Sequence, residues 1–508
     1  MTLARTLGVA LVGIDAQLVE VQVDLSAGLP GLAFTGLADT SVVESRDRIR
    51  AAIVNSSITW PNRRITVALL PADVRKVGAR FDLAVALAVL AAAGEVPAQA
   101  VADVVWIAEL GLDGRLRPVR GVLPAVAAAR RARATRVVVA PGNGAEAALV
   151  ADADVRTAAT LTEVVGWLCG SGPALDVARR SVVEVIPLPG PDLAEVAGQA
   201  TAKRALEVAA AGGHHLSLVG SPGAGKTMLA ERLPGLLPSL DDEAALEVTA
   251  VHSVAGCLAP DGGLIRRPPF QAPHHTATIA ALVGGGPRLA RPGAISLAHR
   301  GVLFLDEAPE FAPRTVDALR QPLESGEVSL HRSGGVVRYP ARFQLALASN
   351  PCPCARPVDC VCPAKVRRRY QQRLSGPLLD RVDLRIDVAP LLHADLIAPT
   401  SVTSTRDAAA RVATARAAAT QRWRGHGWRL NADVPGSALR SGQWRLPAHV
   451  VQEAEGYLDR GTLTARGYDR VLRLAWTLAD LAGLSTPQAG EVAEALHLRT
   501  GDDARWAA

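Results

Sequence analysis

The chain has 508 residues, which is too long for one hydrophobic core, so we expect two to four domains. Apolar residues make up 49% and charged residues 20% of the sequence, as in soluble globular proteins, and the net charge of +6 argues neither for nor against nucleic acid. No apolar run approaches the roughly 20 residues of a membrane span, and four of the six cysteines crowd into 352–362 instead of forming a disulfide framework. These features exclude a membrane-spanning protein, and we expect a cytoplasmic one.

Residues 1–168 alternate two kinds of apolar pattern. Short runs typical of strands alternate with longer runs typical of helices, which predicts an α/β domain. The strand-like runs are 10–12, 19–23, 65–69 and 137–140, and the helical runs are 42–55, 83–93 and 123–133. Residues 169–191, rich in glycine and proline towards both ends, predict a linker.

A second α/β domain is predicted over 192–388, and it carries a phosphate-binding motif. A strand-like run at 216–219 leads into the loop, and a helical pattern follows it. The loop is Gly220-Ser221-Pro222-Gly223-Ala224-Gly225-Lys226-Thr227. This is the P-loop pattern GxxxxGK[ST] between a strand and a helix, in which backbone N–H groups surround the phosphates. Lys226 is expected to reach the β- and γ-phosphates and Thr227 to ligate Mg²⁺, so the motif predicts binding of ATP with Mg²⁺.

Two further strand ends are expected to face the P-loop. The apolar run 302–305 ends in Asp306 and Glu307, and the run 343–349 ends in Asn350. We expect Asp306 to hold Mg²⁺ through water, Glu307 to polarise the attacking water and Asn350 to orient the same water. An acid pair after a strand is a weak signal alone, but it becomes a strong one downstream of a P-loop.

Two arginines are candidates for completing the site. Arg381 is a candidate arginine finger, which one subunit would supply to the γ-phosphate held by its neighbour. The alternative is a surface arginine in a salt bridge with Asp380 or Asp383. Arg466 is a candidate for a second sensor residue, in a helical stretch where arginines are crowded.

The remainder of the chain, 389–508, is predicted to be an all-helical lid. It shows no convincing strand pattern, and its amphipathic stretches are rich in alanine and arginine. These stretches are 407–424, 448–459, 466–482 and 487–498.

From Asp192 to about Ala482 the sequence resembles the magnesium-chelatase-like AAA+ ATPases of the ComM/YifB type. The segments that carry the resemblance are 199–215, Ala272-Pro-His-His-Thr276, 291–299, 305–311 and Asn350-Pro-Cys-Pro-Cys354. The resemblance implies a ring, a homo-hexamer, that hydrolyses ATP at its subunit boundaries and acts on branched or single-stranded DNA. For the competence members of the family it implies a helicase that promotes branch migration of recombination intermediates.

The N-terminal region resembles the S5-type domain with which Lon proteases hydrolyse peptides. The matching segments are 32–39, 44–50 and 71–83. Where Lon has its nucleophilic serine this chain has Arg80, and where Lon has its activating lysine this chain has Leu123. Because a serine–lysine dyad needs both a nucleophile and a base, we expect a protease fold without protease activity, which serves assembly or DNA contact.

A cysteine-rich loop at 351–363 is a candidate Zn²⁺ site, with Cys352, Cys354, Cys360 and Cys362 as ligands. Four thiolates this close in a cytosolic chain suit tetrahedral zinc, although the Cys-x-Cys spacing is tighter than the usual Cys-x₂-Cys. The alternatives are reduced thiols packed in a loop or a redox-labile pair. The remaining cysteines, at 169 and 257, are expected to be small buried apolar residues.

Two segments of the second domain are candidate pore elements. His274 and His275 lie in a predicted insertion at 243–300, where related AAA+ proteins carry elements that project into the pore; the alternative is local hydrogen bonding. Residues 324–339 predict a β-hairpin, and in related helicases such a hairpin touches DNA. We expect His331 and Arg332 at its tip to contact phosphates.

Three functions compete. The first is a DNA-translocating ring ATPase, and the second is a metal-insertion ATPase that remodels a partner protein, as magnesium chelatase subunits do. The protease-like domain and the cysteine loop favour the first, because the chelatase motor resembles only the central and lid regions. The third, an ATP-dependent protease, is disfavoured by the missing dyad.

Overall fold

The structure is a computed structural model. It describes residues 3–36, 40–180, 190–259, 262–286, 290–332, 335–354, 356, 360–391, 393 and 403–501. Of the predicted linker 169–191, residues 181–189 lie outside this description.

A mixed eight-stranded sheet organises the N-terminal region, with strand order β10-β9-β8-β5-β1-β2-β4-β3. Its strands are Leu3–Val12 (β1), Asp15–Ser26 (β2), Gly31–Thr35 (β3), Arg64–Leu70 (β4), Val104–Ile107 (β5), Arg136–Val139 (β8), Val155–Thr157 (β9) and Asp176–Val177 (β10), and a separate two-stranded ladder joins Glu109–Leu110 (β6) to Leu116–Arg117 (β7). The helices are Thr40–Asn55, Asp82–Ala93, Ala98–Ala102, Val122–Arg131, Gly144–Ala147 and Leu161–Leu168.

Alternation along β2 explains how this sheet is held. The side chains of Val19, Val21 and Val23 are fully buried, whereas their neighbours in the strand are partly exposed. The helix Asp82–Ala93 covers this face and is buried at every position except its last. The predicted α/β pattern is confirmed, and β10 shows that part of the predicted linker belongs to the sheet.

The central region is built on five parallel strands in the order β12-β15-β18-β11-β19. The strands of the region, which include the separate pairs β13/β14 and β16/β17, are Leu216–Gly220 (β11), Phe270–Gln271 (β12), Gly284–Gly285 (β13), Arg291–Pro292 (β14), Val302–Leu305 (β15), Glu327–Arg332 (β16), Gly335–Pro340 (β17), Gln344–Ser349 (β18) and Leu384–Val388 (β19). The helices are Ala200–Gly212, Lys226–Leu236, Asp242–Ala255, Ile279–Val283, Ala294–Leu297, Pro313–Asp317, Arg320–Ser325, Ala364–Gln371 and Gly376–Leu379.

Burial on both faces explains the near-continuous apolar runs of the central strands. Every residue of β15 and β18 is buried, as expected for a parallel sheet covered by helices. The edge strand β12 lies inside the predicted insertion 243–300 and pairs with β15. That segment therefore contributes a strand to the core, and does not project from it as a whole.

Between residues 403 and 501 the structure contains helices and no strand, which confirms the predicted helical C-terminal region. The helices are Thr405–Arg422, Gly436–Leu439, Ala448–Asp459, Ala465–Ala482 and Ala489–Thr500. Trp423 is the centre of a cluster of edge-packed tryptophans with Trp428, Trp444 and Trp476. No helix in the described ranges combines the length and the apolar character that a bilayer crossing requires.

The N-terminal sheet packs directly against the central region. Val9 and Leu11 of β1 share an apolar cluster with Val254 of the helix Asp242–Ala255 and with Tyr339 of β17. The Tyr339 side chain is buried, and its hydroxyl donates a hydrogen bond to the backbone oxygen of Ala290. The antiparallel hairpin β16/β17 confirms the predicted one. Its base is held between the N-terminal sheet and the central region.

Candidate active site

The predicted phosphate loop lies at the carboxyl end of β11. The strand ends at Gly220, and the helix Lys226–Leu236 begins inside the motif. Gly223 and Gly225 adopt left-handed φ angles of 77° and 92°, which favour glycine. A side chain built at either position would enter open space, so the loop leaves room for a phosphate chain beside the helix N-terminus.

Lys226 ties this loop to the neighbouring strand. Its Nζ donates hydrogen bonds to the backbone oxygens of Gly220 at 2.7 Å and Ser221 at 2.8 Å, and to Asn350 Oδ1 at 3.2 Å. Burial lowers the pKa of Lys226, while Asp306 and Glu307 act in the opposite direction. The predicted lysine and the predicted sensor residue are therefore in direct contact.

Thr227 and Asp306 meet in the same way. The Thr227 hydroxyl donates to Asp306 Oδ2 at 2.7 Å, and the other carboxylate oxygen of Asp306 accepts from the Glu307 backbone N–H at 2.8 Å. A hydroxyl beside a carboxylate, next to a phosphate loop, is the oxygen donor set that Mg²⁺ uses in such sites. The residues present fit ATP with Mg²⁺.

Glu307 is the conformationally unusual member of the site. It is a non-glycine residue with φ of +50°, and its side chain is 54% exposed. Nδ1 of His275 lies 3.4 Å from Glu307 Oε2, and the ring of His274 packs on His275 at 4.1 Å between centroids. His274 itself contacts the Thr276 hydroxyl at 2.9 Å. The local hydrogen bonding considered for this pair thus holds for His274, whereas His275 reaches the predicted catalytic acid.

Arg381 lies on the other side of the central sheet from the P-loop, where the parallel strands begin. It precedes β19, which runs parallel to β11, so Arg381 is at the amino end of the strands and the P-loop at the carboxyl end. Its guanidinium pairs with Glu324 and also donates to the backbone oxygen of Pro377. The salt-bridge partner is thus neither Asp380 nor Asp383, the two that the sequence suggested.

Asp383 is the buried centre of a contact between the central region and the lid. It pairs with Arg470 of the helix Ala465–Ala482, accepts from the His215 backbone N–H at 3.1 Å and lies 3.6 Å from His214 Nδ1. Burial alone would raise the pKa of Asp383, but Arg470 and His214 outweigh it and hold the pKa well below its usual range.

Sequence reasoning missed this pair. Arg466, the residue chosen as the second sensor, is exposed in the first turn of the same helix, whereas Arg470 lies one turn later and faces the core. The helical period indicates that Arg470 faces inward, because it shares a face with the buried Gly467 and Leu474.

Comparison with known proteins identifies the family. Three family models match: "Magnesium chelatase, subunit ChlI" over 192–396, "Subunit ChlI of Mg-chelatase" over 21–143, and the ChlI C-terminal model over 402–499. Competence protein ComM of Haemophilus influenzae is 40% identical over 505 residues, covering 98% of each chain. The chain belongs to the magnesium-chelatase-like ComM/YifB family of AAA+ ATPases.

Two further relatives extend this comparison. The protein YifB of Escherichia coli is 40% identical over 479 residues, which cover 93% of this chain and 92% of YifB. An uncharacterized protein of Mycobacterium tuberculosis is 52% identical over 501 residues, which cover 98% of this chain and 99% of the relative. The likeness to the ComM/YifB family therefore includes the N-terminal region, the central sheet and the lid.

In this ComM/YifB-family chain, the two residues that the sequence resemblance aligns with the Lon dyad are both buried. Arg80 is 8% exposed and Leu123 is fully buried in the helix Val122–Arg131. Burial lowers the pKa of Arg80 to about 10, which still leaves it charged at neutral pH. Neither residue offers a nucleophile or a neutral amine base.

The four loop cysteines converge, and the other two do not behave as predicted. The Sγ atoms of Cys352, Cys354, Cys360 and Cys362 all lie within 4.8 Å of one another. Cys169 and Cys257 are exposed, so the prediction of buried apolar cysteines is wrong for both. Burial of an isolated cysteine depends on tertiary contacts that its local sequence does not encode.

The hairpin and the basic helix present exposed cations and a histidine. His331 is exposed, and the Arg332 backbone pairs with Gly335. The Arg332 side chain and residues 333–334 lie outside the described part of the chain. In the helix Ala364–Gln371 the exposed cations are Lys365, Arg367, Arg368 and Arg369.

Proposed function

We propose that this chain is one subunit of a homo-hexameric ring that hydrolyses ATP with Mg²⁺ and moves along DNA. In this proposal the ring is a helicase that promotes branch migration during recombination or natural transformation. The ring is supported by the position of Arg381, which lies at the amino ends of the strands, opposite the P-loop of its own chain. An arginine finger at that edge can serve only the site of another subunit.

Within one subunit each residue of the site has a distinct task. Lys226 and the loop N–H groups bind the phosphates, and Thr227 with Asp306 holds the metal ion. Glu307 accepts a proton from the attacking water, and Asn350 orients that water. When bound, Mg²⁺ neutralises charge that develops on the phosphate oxygens. Arg381 of the adjoining subunit stabilises the same charge from outside, and Arg466 is the candidate sensor of nucleotide on the lid side.

Support for DNA as the partner comes from exposed basic residues near the site. The helix Ala364–Gln371 carries four exposed cations within five residues, and its cations make no ion pair among the described contacts. The hairpin tip adds His331 and, from the sequence, Arg332. Such groups suit phosphate contacts, which give affinity without sequence preference, as movement along DNA requires.

The N-terminal region is proposed as a protease-like domain without protease activity. Its apolar packing against Val254 and Tyr339 supports a role in assembly, because it fixes the base of the hairpin that would meet DNA. The buried Arg80 and Leu123 support the loss of peptide hydrolysis.

A second candidate function is remodelling of a partner protein for metal insertion. The observation in its favour is that chelatase-subunit models match all three regions of the chain. It predicts an ATPase that responds to a protein partner and not to DNA.

One experiment separates the two functions. ATP turnover of the assembled protein is measured with four-way junctions, forked DNA, linear duplex and no DNA, at matched nucleotide concentration. We expect branched or single-stranded DNA to stimulate turnover severalfold, and we expect Lys226→Ala to abolish turnover in every case. Equal turnover under all four conditions would reject the DNA motor and favour protein remodelling.

A further inference from the structure

Four cysteine sulfur atoms lie close together in the loop at 351–363. The described residues of 351–363 belong to neither a helix nor a strand. Even so, Cys352 Sγ lies 2.9 Å from Cys354 Sγ and 3.2 Å from Cys360 Sγ, and Cys354 lies 3.5 Å from Cys360. With Cys362 included, all four Sγ atoms lie within 4.8 Å of one another.

These separations suit a shared metal ion better than a disulfide. A disulfide requires about 2.0 Å between two sulfurs and leaves the other two thiols without a reason to converge. Tetrahedral zinc at about 2.3 Å from each sulfur places the sulfurs about 3.8 Å apart, a distance within the span of this cluster. Cys352 is buried while Cys360 is exposed, so one side of the cluster faces the protein and the other is open to solvent.

Charge around the cluster favours a four-thiolate site. Four thiolates with one divalent ion carry a net charge of −2, which needs nearby cations. The exposed cations of the helix Ala364–Gln371 begin at Lys365, three residues after Cys362. The run of basic residues thus follows the loop directly in the sequence.

The loop also has a defined place next to the ATP site. It begins directly after Asn350, which contacts Lys226. It ends at the helix Ala364–Gln371, whose Tyr370 is buried. Three residues later, Arg373 pairs with Glu310 at 2.8 Å, close to the acid pair. A crosslink between Cys352 and Cys362 would therefore fix the segment that follows the sensor residue against the start of the basic helix.

We propose that Cys352, Cys354, Cys360 and Cys362 bind one Zn²⁺ ion as four thiolates, in a structural site that fixes the segment between Asn350 and the basic helix. The site is separate from the Mg²⁺ site and does not depend on DNA being the partner. Zinc suits it because it has no redox chemistry and takes four sulfur ligands in a closed tetrahedron.

The test is the metal content of the full-length protein, purified under reducing conditions without added metal and without an affinity tag that binds metals. We expect about one zinc per chain, released when a mercurial reagent modifies the thiols. We expect Cys360→Ser, at the exposed ligand, to lose at least tenfold in zinc affinity, measured by competition with a chromophoric chelator. The matched control is Cys169→Ser, an exposed cysteine elsewhere, which should keep full zinc content.

Several results would overturn the proposal. Wild-type protein with no stoichiometric metal, even after refolding with zinc, would do so without any variant. Iron with acid-labile sulfide would show a cluster in place of zinc. Equal zinc content in Cys360→Ser and Cys169→Ser would also reject the four-cysteine site. Cobalt substitution gives an independent measurement, because tetrahedral thiolate coordination produces intense visible absorption, whereas octahedral oxygen ligands do not.

Discussion

The carboxyl edge and the amino edge of the central sheet, where its parallel strands end and begin, differ in how many of the proposed site residues one chain brings together. At the carboxyl edge, side chains from three strand ends touch one another: Lys226 contacts Asn350, and Thr227 contacts Asp306. At the amino edge, Arg381 stands apart from all of these and pairs with Glu324.

This difference shows why the motor must be an assembly if the proposed roles hold. Parallel strands bring all their carboxyl ends to one edge, so a local motif is enough to build the nucleotide pocket. The same rule keeps a residue that precedes β19 away from that pocket. In the proposed mechanism each site therefore needs a surface from a second copy, and the variants below test the two edges separately.

The largest effect is expected at the carboxyl edge, from Glu307→Gln. Loss of the general base should lower ATP turnover about 10³-fold while leaving nucleotide binding intact. Steady-state hydrolysis and equilibrium binding of a fluorescent nucleotide measure the two quantities. The matched control is Glu310→Gln, a nearby acid that pairs with Arg373, which should keep turnover within about tenfold. Comparable losses in both variants would remove Glu307 from its role.

At the amino edge, Arg381→Ala should lower turnover about 10²-fold, because a preorganised charge on the transition state is lost. Mixing these subunits with Lys226→Ala subunits should restore part of the activity, since some boundaries then join an intact P-loop to an intact arginine. The control is mixing with the double variant Lys226→Ala/Arg381→Ala, which has no arginine to lend. Rescue by neither mixture would contradict action across the boundary.

Asp383→Asn should destabilise the contact between the lid and the central region by about 3 kcal/mol. The reason is that it leaves Arg470 without its buried partner. The lid contains five of the eight tryptophans, so urea unfolding followed by tryptophan fluorescence reports on this contact. As a control, Asp152→Asn removes an exposed pair with Arg130, whose side chains are 79% and 49% exposed, and should change the free energy by less than about 1 kcal/mol.

The same pair predicts a pH dependence. Because the folded protein holds the pKa of Asp383 below its unfolded value, this carboxylate contributes stability above the unfolded pKa of about 3.9 and loses that contribution as pH falls further. The lid transition of the wild type should therefore weaken below about pH 4, and more steeply than that of Asp383→Asn. Parallel pH profiles of the two proteins would argue against the depressed pKa.

The smallest effect is expected from His275→Ala. The contact of His275 with Glu307 is half exposed and is worth at most about 1 kcal/mol, so freeing the acid should raise turnover without DNA by no more than about fivefold. His274→Ala, which removes a contact with Thr276 instead, should change turnover less. A drop in turnover with His275→Ala would show that the histidine holds Glu307 in its working position.

Local patterns predicted the parts of the site that one strand–loop–helix unit defines. The P-loop follows β11, and the acid pair and Asn350 follow β15 and β18, so polar residues at the end of a short apolar run were a sufficient signal. The contact of His275 with Glu307 was out of reach, because β12 has only two residues and gives no periodic signal. The roles of these residues in turnover remain predictions.

Contacts between residues far apart in the sequence were the other feature that the sequence did not predict. Arg470 and Asp383 are 87 residues apart, and nothing in either local sequence indicates the partner. Arginines crowd this helix, so the sequence did not distinguish the exposed Arg466, which stays a candidate sensor, from the inward-facing Arg470. The packing of Tyr339 against the N-terminal sheet likewise depends on how the regions dock, which residue periodicity does not encode.

The buried carboxylate of Asp383 has one more consequence. It lies two residues from Arg381, on the short segment that leads into β19, and it is the attachment point of a lid helix. If the lid helix tilts when its own pocket empties, it would shift this segment and with it Arg381, the residue proposed to serve the adjoining pocket. In the proposed ring, loss of nucleotide at one site would in this way change the arginine that the next site receives.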